Sequence, residues 1–334
     1  MSRLNEFFEL LLRIYGGDVV DNLFERNTSD NLISYKQDKI GLTRFIISYF
    51  LDLKKKDQSQ IKSCDKCESI FKKYFKNRPF EISNWRGNLD FNRKNIKDIM
   101  IVGEAAGPGI KSHLNYSYGL CNLPIEYNGV INWEHVEELY KNIEDTIKKE
   151  KKYNWNYVEA EITKIFTKRS INHKLYEYLY EIFAEPYQNL EKLLNSLYIT
   201  DMVRCNLSEK PGWKSNSIWR KCIDNCKDYF FEEIRLIIPK LILITADSTY
   251  ETFTSLLEGD NITINFLETS EYLKNFPSRK FGYFLLGGNK IYFYQIYHNK
   301  KYYQLEKKEV RPTYKKQNSS LFSKEIMTKI LRWN

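Results

Sequence analysis

Six cysteines occur among the 334 residues of this chain, and four of them have a spacing that suits metal binding. Cys64 and Cys67 form a Cys-Asp-Lys-Cys motif, Cys205 lies far along the chain, and Cys222 or Cys226 is a fourth candidate. Thiolates from one Cys-x-x-Cys pair and two distant cysteines can hold either a zinc ion or a [4Fe–4S] cluster. The spacing therefore predicts a metal centre and leaves the metal open.

Three further side chains that can take part in acid–base chemistry lie within or just after short apolar runs. They are Glu104, Asp201 and His298. A carboxylate can orient an attacking water, and an imidazole can donate a hydrogen bond to a leaving group. Each residue taken alone is more often an ordinary surface or core residue, so its significance depends on the elements that position it.

Four short runs rich in β-branched and aromatic residues predict those elements as strands: Ile99–Val102, Leu197–Val203, Leu241–Thr245 and Ile291–Tyr297. Near-continuous apolar strands that alternate with helical patterns are typical of a parallel sheet covered on both faces. Functional residues of such sheets gather beyond the carboxyl ends of the strands. We therefore predict an α/β fold in which a parallel, four-stranded central sheet is flanked by helices and carries the site at one edge.

Helical patterns predict the organisation around this sheet. Apolar residues recur at helical spacing within residues 4–53, which we expect to be helical. We divide the chain into a helical N-terminal extension at residues 1–60 and an α/β domain at residues 61–334. The charged stretch at about 125–196 has one apolar helical face and is predicted to be a helical insertion in that domain.

The composition favours a nucleic-acid partner. The formal net charge is +9, and the chain has 25 tyrosines and 20 phenylalanines. Basic groups bind phosphates and aromatic rings stack on bases, although the codons of an AT-rich genome would produce a similar composition. There is no apolar run of 18 residues and no signal-peptide pattern. We expect a cytoplasmic monomer that has no membrane contact.

The ordered motifs resemble the [4Fe–4S] branch of the uracil-DNA glycosylase superfamily. That family has a Cys-x-x-Cys, a strand ending in Gly-Glu-Ala-Pro-Gly, a strand ending in Thr-Asn-x-x-Lys-Cys, a fourth cysteine ahead of a Pro-Lys, and a His-Pro-Ser-like loop. The segments that correspond here are Cys64–Cys67, Gly103–Gly107, Thr200–Cys205, Cys226 ahead of Pro239-Lys240, and Tyr297–Lys300. The resemblance implies a uracil-DNA glycosylase-like fold and a monofunctional DNA glycosylase.

By this resemblance the metal centre is a [4Fe–4S] cluster held by Cys64, Cys67, Cys205 and Cys226. Cys226 is preferred to Cys222 because its distance from Pro239-Lys240 fits the family's helix length better. The expected partner is DNA, either a duplex with an everted base or a single strand.

The resemblance also assigns the site residues. Glu104 would orient the attacking water and His298 would donate to the leaving base, while backbone N–H groups of the glycine-rich loop would stabilise charge on that base. The base would be bound by Ala105, Ala106, Gly109, Ser117 and Asp201, and the DNA by Lys300, Lys301 and Tyr302. Asn299 replaces the family's proline after the histidine.

Two departures from the family bear on the substrate. Asp201 stands where the family has an asparagine that reads uracil, and a carboxylate can only accept hydrogen bonds, as from the 4-amino group of cytosine. The family's bulky residue near the base C5 position is replaced within Pro108–Lys111. Since excision of plain cytosine would destroy the host genome, the two departures favour a C5-modified cytosine, hydroxymethylated or glucosylated, as in some phage DNA.

This interpretation implies a role in antiviral defence. Ordinary uracil excision in base excision repair is the alternative within the enzyme class. A non-catalytic DNA-binding homologue that keeps the fold and the cluster is the alternative outside it.

Overall fold

A computed structural model of the chain describes residues 1–36, 83–105, 190–204, 217–245, 247–267 and 281–296, with single positions 66, 134, 138, 141, 179, 183, 187 and 330. The helices in these ranges are α1 (Arg3–Tyr15), α2 (Gly17–Leu23), α3 (Leu190–Ser196), α4 (Ser217–Ile237) and α5 (Asp247–Gly259). The strands are β1 (Phe24–Asn27), β2 (Leu32–Tyr35), β3 (Asn84–Trp85), β4 (Leu89–Asp90), β5 (Ile99–Ala105), β6 (Leu197–Val203), β7 (Leu241–Thr245), β8 (Asn265–Phe266), β9 (Phe281–Leu286) and β10 (Asn289–Ile296).

The larger of two sheets contains seven described strands in the order β3, β6, β5, β7, β10, β9, β8. Strand β5 pairs in parallel with β6 on one side and with β7 on the other, and β7 pairs in parallel with β10. Antiparallel strands extend the sheet at both edges. The predicted α/β class and its four strands are confirmed, whereas the sheet is mixed and wider than the four-stranded parallel sheet that the sequence predicted.

Strand β9 joins the sheet through a tight turn that the sequence prediction missed. Gly287 and Gly288 have φ angles of +56° and +77°. Positive φ at both central residues is the requirement of the two-residue hairpin turn whose twist matches that of its strands. The pair Gly-Gly between two apolar runs is the signal that would have predicted this hairpin.

Within the described residues 1–36 the N-terminal segment is only partly helical, which corrects the prediction of helices for that part of residues 4–53. Helices α1 and α2 are present, but β1 and β2 form an antiparallel hairpin that β4 extends to three strands. The turn depends on asparagine chemistry: Asn27 Oδ1 accepts from the Asp30 N–H at 3.0 Å, and Asn31 has a φ of +59°. Asparagine and aspartate favour such turns because their side chains bond nearby backbone groups.

Helix α1 packs against α4 and is tied to the large sheet's domain. Ser2 caps the helix, and Arg3 donates from Nε to the Leu236 carbonyl oxygen at 2.7 Å, near the end of α4. The guanidinium also donates to the Arg93 carbonyl oxygen at 2.9 Å, in the segment that leads to β5. The first helix is therefore fastened to two elements of the core, while the domain boundary predicted at residue 60 lies outside the described residues.

Most of the predicted insertion also lies outside the described residues. The single positions described within it before α3, which are 134, 138, 141, 179, 183 and 187, are all helical. Among the described helices, none is long and apolar enough to cross a membrane.

The strand order creates a switch point at the carboxyl end of β5. The ladder between β5 and β7 ends at the pair Val102–Ile244, whereas the ladder between β5 and β6 continues to Ala105–Val203. The chain proceeds from β5 to β6 on one side and from β7 to β10 on the other. A crevice between strands whose connections diverge in this way is the usual ligand-binding position of open α/β sheets.

Candidate active site and cysteine centre

Glu104 lies at this switch point and is hydrogen-bonded from the segment that follows β7. The Ser248 hydroxyl, in the first turn of α5, donates to Glu104 Oε2 at 3.1 Å. Three residues earlier, the Thr245 hydroxyl at the end of β7 donates to the Val102 carbonyl oxygen at 3.1 Å. Two hydrogen bonds therefore connect β5 to the β7–α5 segment where their backbone ladder has ended. Glu104 is half-buried, so its carboxylate is oriented without being sealed from solvent.

Asp201 is the residue opposite Gly103 in the parallel pairing of β6 with β5. Its side chain is 2% exposed, and its Cγ lies 3.1 Å from the point where a Cβ on Gly103 would stand. Oδ1 comes closer still, so the absence of a side chain at Gly103 is what makes room for the carboxylate. Asp201 is therefore a buried acidic group whose placement depends on a glycine in the neighbouring strand.

Glu104 and Asp201 flank the end of β5 from opposite faces of the sheet. Successive side chains of a strand alternate between faces, so Glu104 points away from the side of Gly103 on which Asp201 lies. The face of Glu104 is the one covered by α5, as its bond to Ser248 shows. The two carboxylates that the sequence assigned to one site are brought to one edge but not to one surface.

Cys226 is the one predicted cluster ligand among the described residues, and it is 2% exposed within α4. Lys66, from the Cys-Asp-Lys-Cys motif, lies against the same part of that helix. Its carbonyl oxygen accepts from Asn225 Nδ2 at 2.7 Å, and its Nζ is 3.3 Å from Asp228 Oδ2. Nζ also lies 4.2 Å from the centre of the Tyr229 ring. Three contacts therefore hold a residue of the motif beside the helical turn that carries Cys226.

A buried ion pair fixes the end of β6 just before Cys205. Arg204 donates to the Glu233 carboxylate of α4, and these side chains are 2% and 1% exposed. Arg204 Nη1 also donates to Ser83 Oγ at 2.6 Å. Glu233 in turn accepts from Tyr198 at 2.5 Å and from Thr200 at 2.9 Å. Because a buried carboxylate needs such partners, the network makes the β6–α4 arrangement a fixed part of the fold.

The same network sets the ionisation of its members. Burial alone lowers the pKa of Arg204, but the adjacent Glu233 carboxylate raises it, and the net shift is upward. Burial raises the pKa of Tyr198 well above that of an exposed phenol, and the negative charge of Glu233 raises it further. At neutral pH Arg204 is therefore charged and Tyr198 is a neutral hydrogen-bond donor.

These geometries bear on the predicted metal centre. Cys226 lies within α4, and two described residues that neighbour predicted ligands in the sequence, Lys66 and Arg204, both contact that helix. Among the residues that the structure describes, no group of three histidine, cysteine or acidic side chains comes together. Cys222 is also buried, one turn before Cys226.

The remaining predicted site residues lie outside the described ranges, except for Ala105, which ends β5. Those outside are the ligands Cys64, Cys67 and Cys205, the base-binding residues Ala106, Gly109 and Ser117, the catalytic His298, and the DNA-binding residues Lys300, Lys301 and Tyr302. Their roles stay predictions.

Sequence reasoning missed Ser248 and Glu233. Ser248 follows a predicted strand by three residues in Ala-Asp-Ser-Thr, and such clusters commonly begin helices. Glu233 lies three residues after buried Phe230 on the apolar face of α4, where a charged residue signals a buried partner.

No family model matches the chain, and a search of curated proteins found no match.

Proposed function

We propose that the protein is a DNA glycosylase with a uracil-DNA glycosylase-like fold, in which β6, β5, β7 and β10 form the four central parallel strands. The observation that carries the proposal is that Glu104 and Asp201 lie near the carboxyl ends of adjacent strands, on opposite faces of one sheet edge beside the switch point, so that a nucleotide lying across this edge would meet both carboxylates. Ligands of open α/β sheets bind there. The basic, aromatic-rich chain suits a nucleic-acid substrate.

The proposed reaction is hydrolysis of one N-glycosidic bond. Water forms a bond to the sugar C1′, the C1′–N1 bond breaks, and its electron pair leaves with the base. Glu104 orients the water and stabilises positive charge developing on the sugar, as carboxylates do in glycoside cleavage. His298 donates a hydrogen bond to the departing base. The attacking water releases one proton by way of Glu104 to solvent, the base takes up one proton from solvent, and an abasic site remains in the DNA.

Asp201 supports a cytosine-type substrate. A carboxylate accepts hydrogen bonds from an amino group but meets a carbonyl oxygen with repulsion. It can therefore accept from the 4-amino group of cytosine and disfavours uracil, whose corresponding atom is O4. The base would reach this group from the edge of the sheet, bound between Asp201 and the residues that follow β5 in the sequence, Ala106 and Gly109 among them.

The substrate we favour is a cytosine with a C5 substituent, hydroxymethylated or glucosylated, in phage DNA. A base pocket that is open beside the C5 atom would admit the substituent. The modification would distinguish foreign DNA from the host's own. We accordingly propose antiviral defence by a cytoplasmic monomer that acts on duplex DNA with an everted base or on single strands.

The cluster is a separate part of the proposal. Cys64, Cys67, Cys205 and Cys226 would hold a [4Fe–4S] cluster, and the packing of Lys66 beside Cys226 supports that ligand set. Four thiolates also suit zinc. The cluster would have a structural role in holding the motif, the end of β6 and α4 together, and no step of hydrolysis passes through it.

In the decisive experiment the protein is incubated with matched duplexes, each of which contains a single uracil, cytosine, 5-hydroxymethylcytosine or glucosylated 5-hydroxymethylcytosine at the test position. Alkali then cuts the strand wherever an abasic site has formed. We expect cuts at a modified cytosine and none at plain cytosine. Cuts at uracil alone would favour base excision repair instead, and binding without any cuts would favour a non-catalytic DNA-binding protein.

A further inference from the structure

We propose that Ser248 is a positioning residue for Glu104, fixing the carboxylate in the orientation that the attacking water requires. This inference rests on the proposed function. Its basis is the 3.1 Å hydrogen bond from the Ser248 hydroxyl to Glu104 Oε2, which links α5 to β5. A carboxylate is planar, so a fixed Oε2 also restricts where the second oxygen can point.

The hydroxyl is itself held in place. Ser248 lies in the first turn of α5, a helix of 13 residues. That helix is anchored by Phe253, whose ring packs at 5.9 Å from the Phe293 ring of β10 and at 6.2 Å from the Phe230 ring of α4. The Thr245–Val102 hydrogen bond fixes the end of β7 that leads into the helix. A donor on such a rigid support can orient a catalytic group with little loss of its own freedom.

The electrostatics of the helix act in the same direction. The first turn of a helix carries partial positive charge from its unpaired backbone N–H groups. A negatively charged carboxylate beside it is favoured, and the hydroxyl of Ser248 determines which of its oxygens faces the helix. The arrangement keeps Glu104 in one orientation before the substrate arrives, which is the preorganisation that catalysis by fixed groups needs.

A positioning role has a distinct kinetic signature. Ser248 acts on the reaction through Glu104, so its removal slows the chemical step and leaves DNA binding unchanged. We expect Ser248→Ala to lower the single-turnover rate about tenfold, the scale of one hydrogen bond to a charged group. Ser248→Thr keeps the hydroxyl and should recover most of the rate.

The test measures single-turnover base release and duplex affinity for the unmodified protein, Ser248→Ala, Ser248→Thr, Glu104→Gln and the double variant Glu104→Gln/Ser248→Ala. Thr254→Ala is the matched control, because this hydroxyl on the same helix bonds the Tyr250 and Glu251 carbonyl oxygens at 3.1 Å and lies away from Glu104. We expect Ser248→Ala to be slow, Thr254→Ala to be normal, and loss of Ser248 to have no further effect when Glu104 is already changed.

The outcomes separate this inference from the function on which it rests. Full activity of Ser248→Ala together with an inactive Glu104→Gln would overturn the role of Ser248 and leave the glycosylase intact. An equal loss from Ser248→Ala in both backgrounds would show that the serine acts independently of Glu104, which also overturns it. Absence of base release by the unmodified protein on every duplex would overturn the glycosylase itself.

Discussion

The carboxylate of Asp201 occupies the space beside Gly103 that any side chain at that position would need. The two residues pair in adjacent parallel strands, and the Asp201 Cγ lies 3.1 Å from the point where a Cβ would stand. Real Cβ atoms essentially never come as close to another atom as Oδ1 would be. Gly103 and Asp201 therefore form a unit, because the carboxylate can occupy this position only while residue 103 is a glycine.

The first prediction concerns that unit. Gly103→Ala should displace the Asp201 carboxylate and lower base release about ten- to a hundredfold, the effect of losing one charge-assisted hydrogen bond. Gly259→Ala is the control, since a Cβ there meets no atom within 4 Å. Single-turnover release on the preferred duplex measures both variants. Equal rates for Gly103→Ala and the unmodified protein would show that Asp201 is not held by this space.

Asp201 itself carries the prediction of base identity. Asp201→Asn should lower release of a cytosine-type base by about ten- to a hundredfold, because the carboxylate's charge-assisted hydrogen bond is lost. The same variant should gain activity on uracil, since an amide can both accept from N3–H and donate to O4. Rates on the two duplexes, measured side by side, test the reversal. Parallel losses on both would assign Asp201 a structural role.

The buried ion pair gives a prediction of stability. Arg204→Met leaves the buried Glu233 carboxylate without its ion-pair partner, and Glu233→Gln does the same to the Arg204 guanidinium. Each substitution should lower the free energy of unfolding by about 3–5 kcal/mol. Lys227→Gln provides the contrast, because Lys227 and Asp260 pair at 3.0 Å with 34% and 31% of their side chains exposed. Its cost should stay below about 1 kcal/mol. Urea unfolding monitored by circular dichroism compares the three. Similar costs for the buried and exposed pairs would contradict the importance of the network.

The cluster ligand on α4 is tested with its neighbouring cysteine as the control. Cys226→Ser should remove iron and the broad visible absorption of a [4Fe–4S] cluster, whereas Cys222→Ser should keep both, although each side chain is buried. Anaerobically purified protein should contain about four irons per chain. Loss of iron from Cys222→Ser alone would show that the ligand is Cys222, one helical turn earlier. Zinc without iron in the unmodified protein would show that the centre is a zinc site and not a [4Fe–4S] cluster.

The central strands could be predicted from the sequence because strands buried on both faces are near-continuous apolar runs. Leu197–Val203 and Leu241–Thr245 have the predicted bounds, and Ile99–Ala105 extends three residues further. This extension carries Glu104 within the strand. The hairpins at β1–β2 and β9–β10 were missed because they depend on positive φ at Asn31 and Gly287, a local turn requirement that apolar periodicity does not register.

The sequence predicts which residues form the candidate site, but it does not predict how their side chains are arranged. The placement of Glu104 and Asp201 near strand ends follows from the chain order, but their opposite faces follow from strand alternation once the pairing register is known. The partners Ser248 and Glu233 lie 144 residues from Glu104 and 29 residues from Arg204, respectively. Contacts at such separations depend on tertiary packing, which periodicity and local motifs do not encode.

The most direct test of the central claim identifies the released base. Purified protein and Glu104→Gln are each incubated with duplexes that differ only in one base, which is cytosine, 5-hydroxymethylcytosine, its glucosylated form or uracil, and the small-molecule fraction is analysed by mass spectrometry. We expect the unmodified protein to release a free C5-modified cytosine and Glu104→Gln to release on the order of 10²-fold less. No free base from any duplex, under conditions in which the protein binds them, would contradict the assignment as a glycosylase.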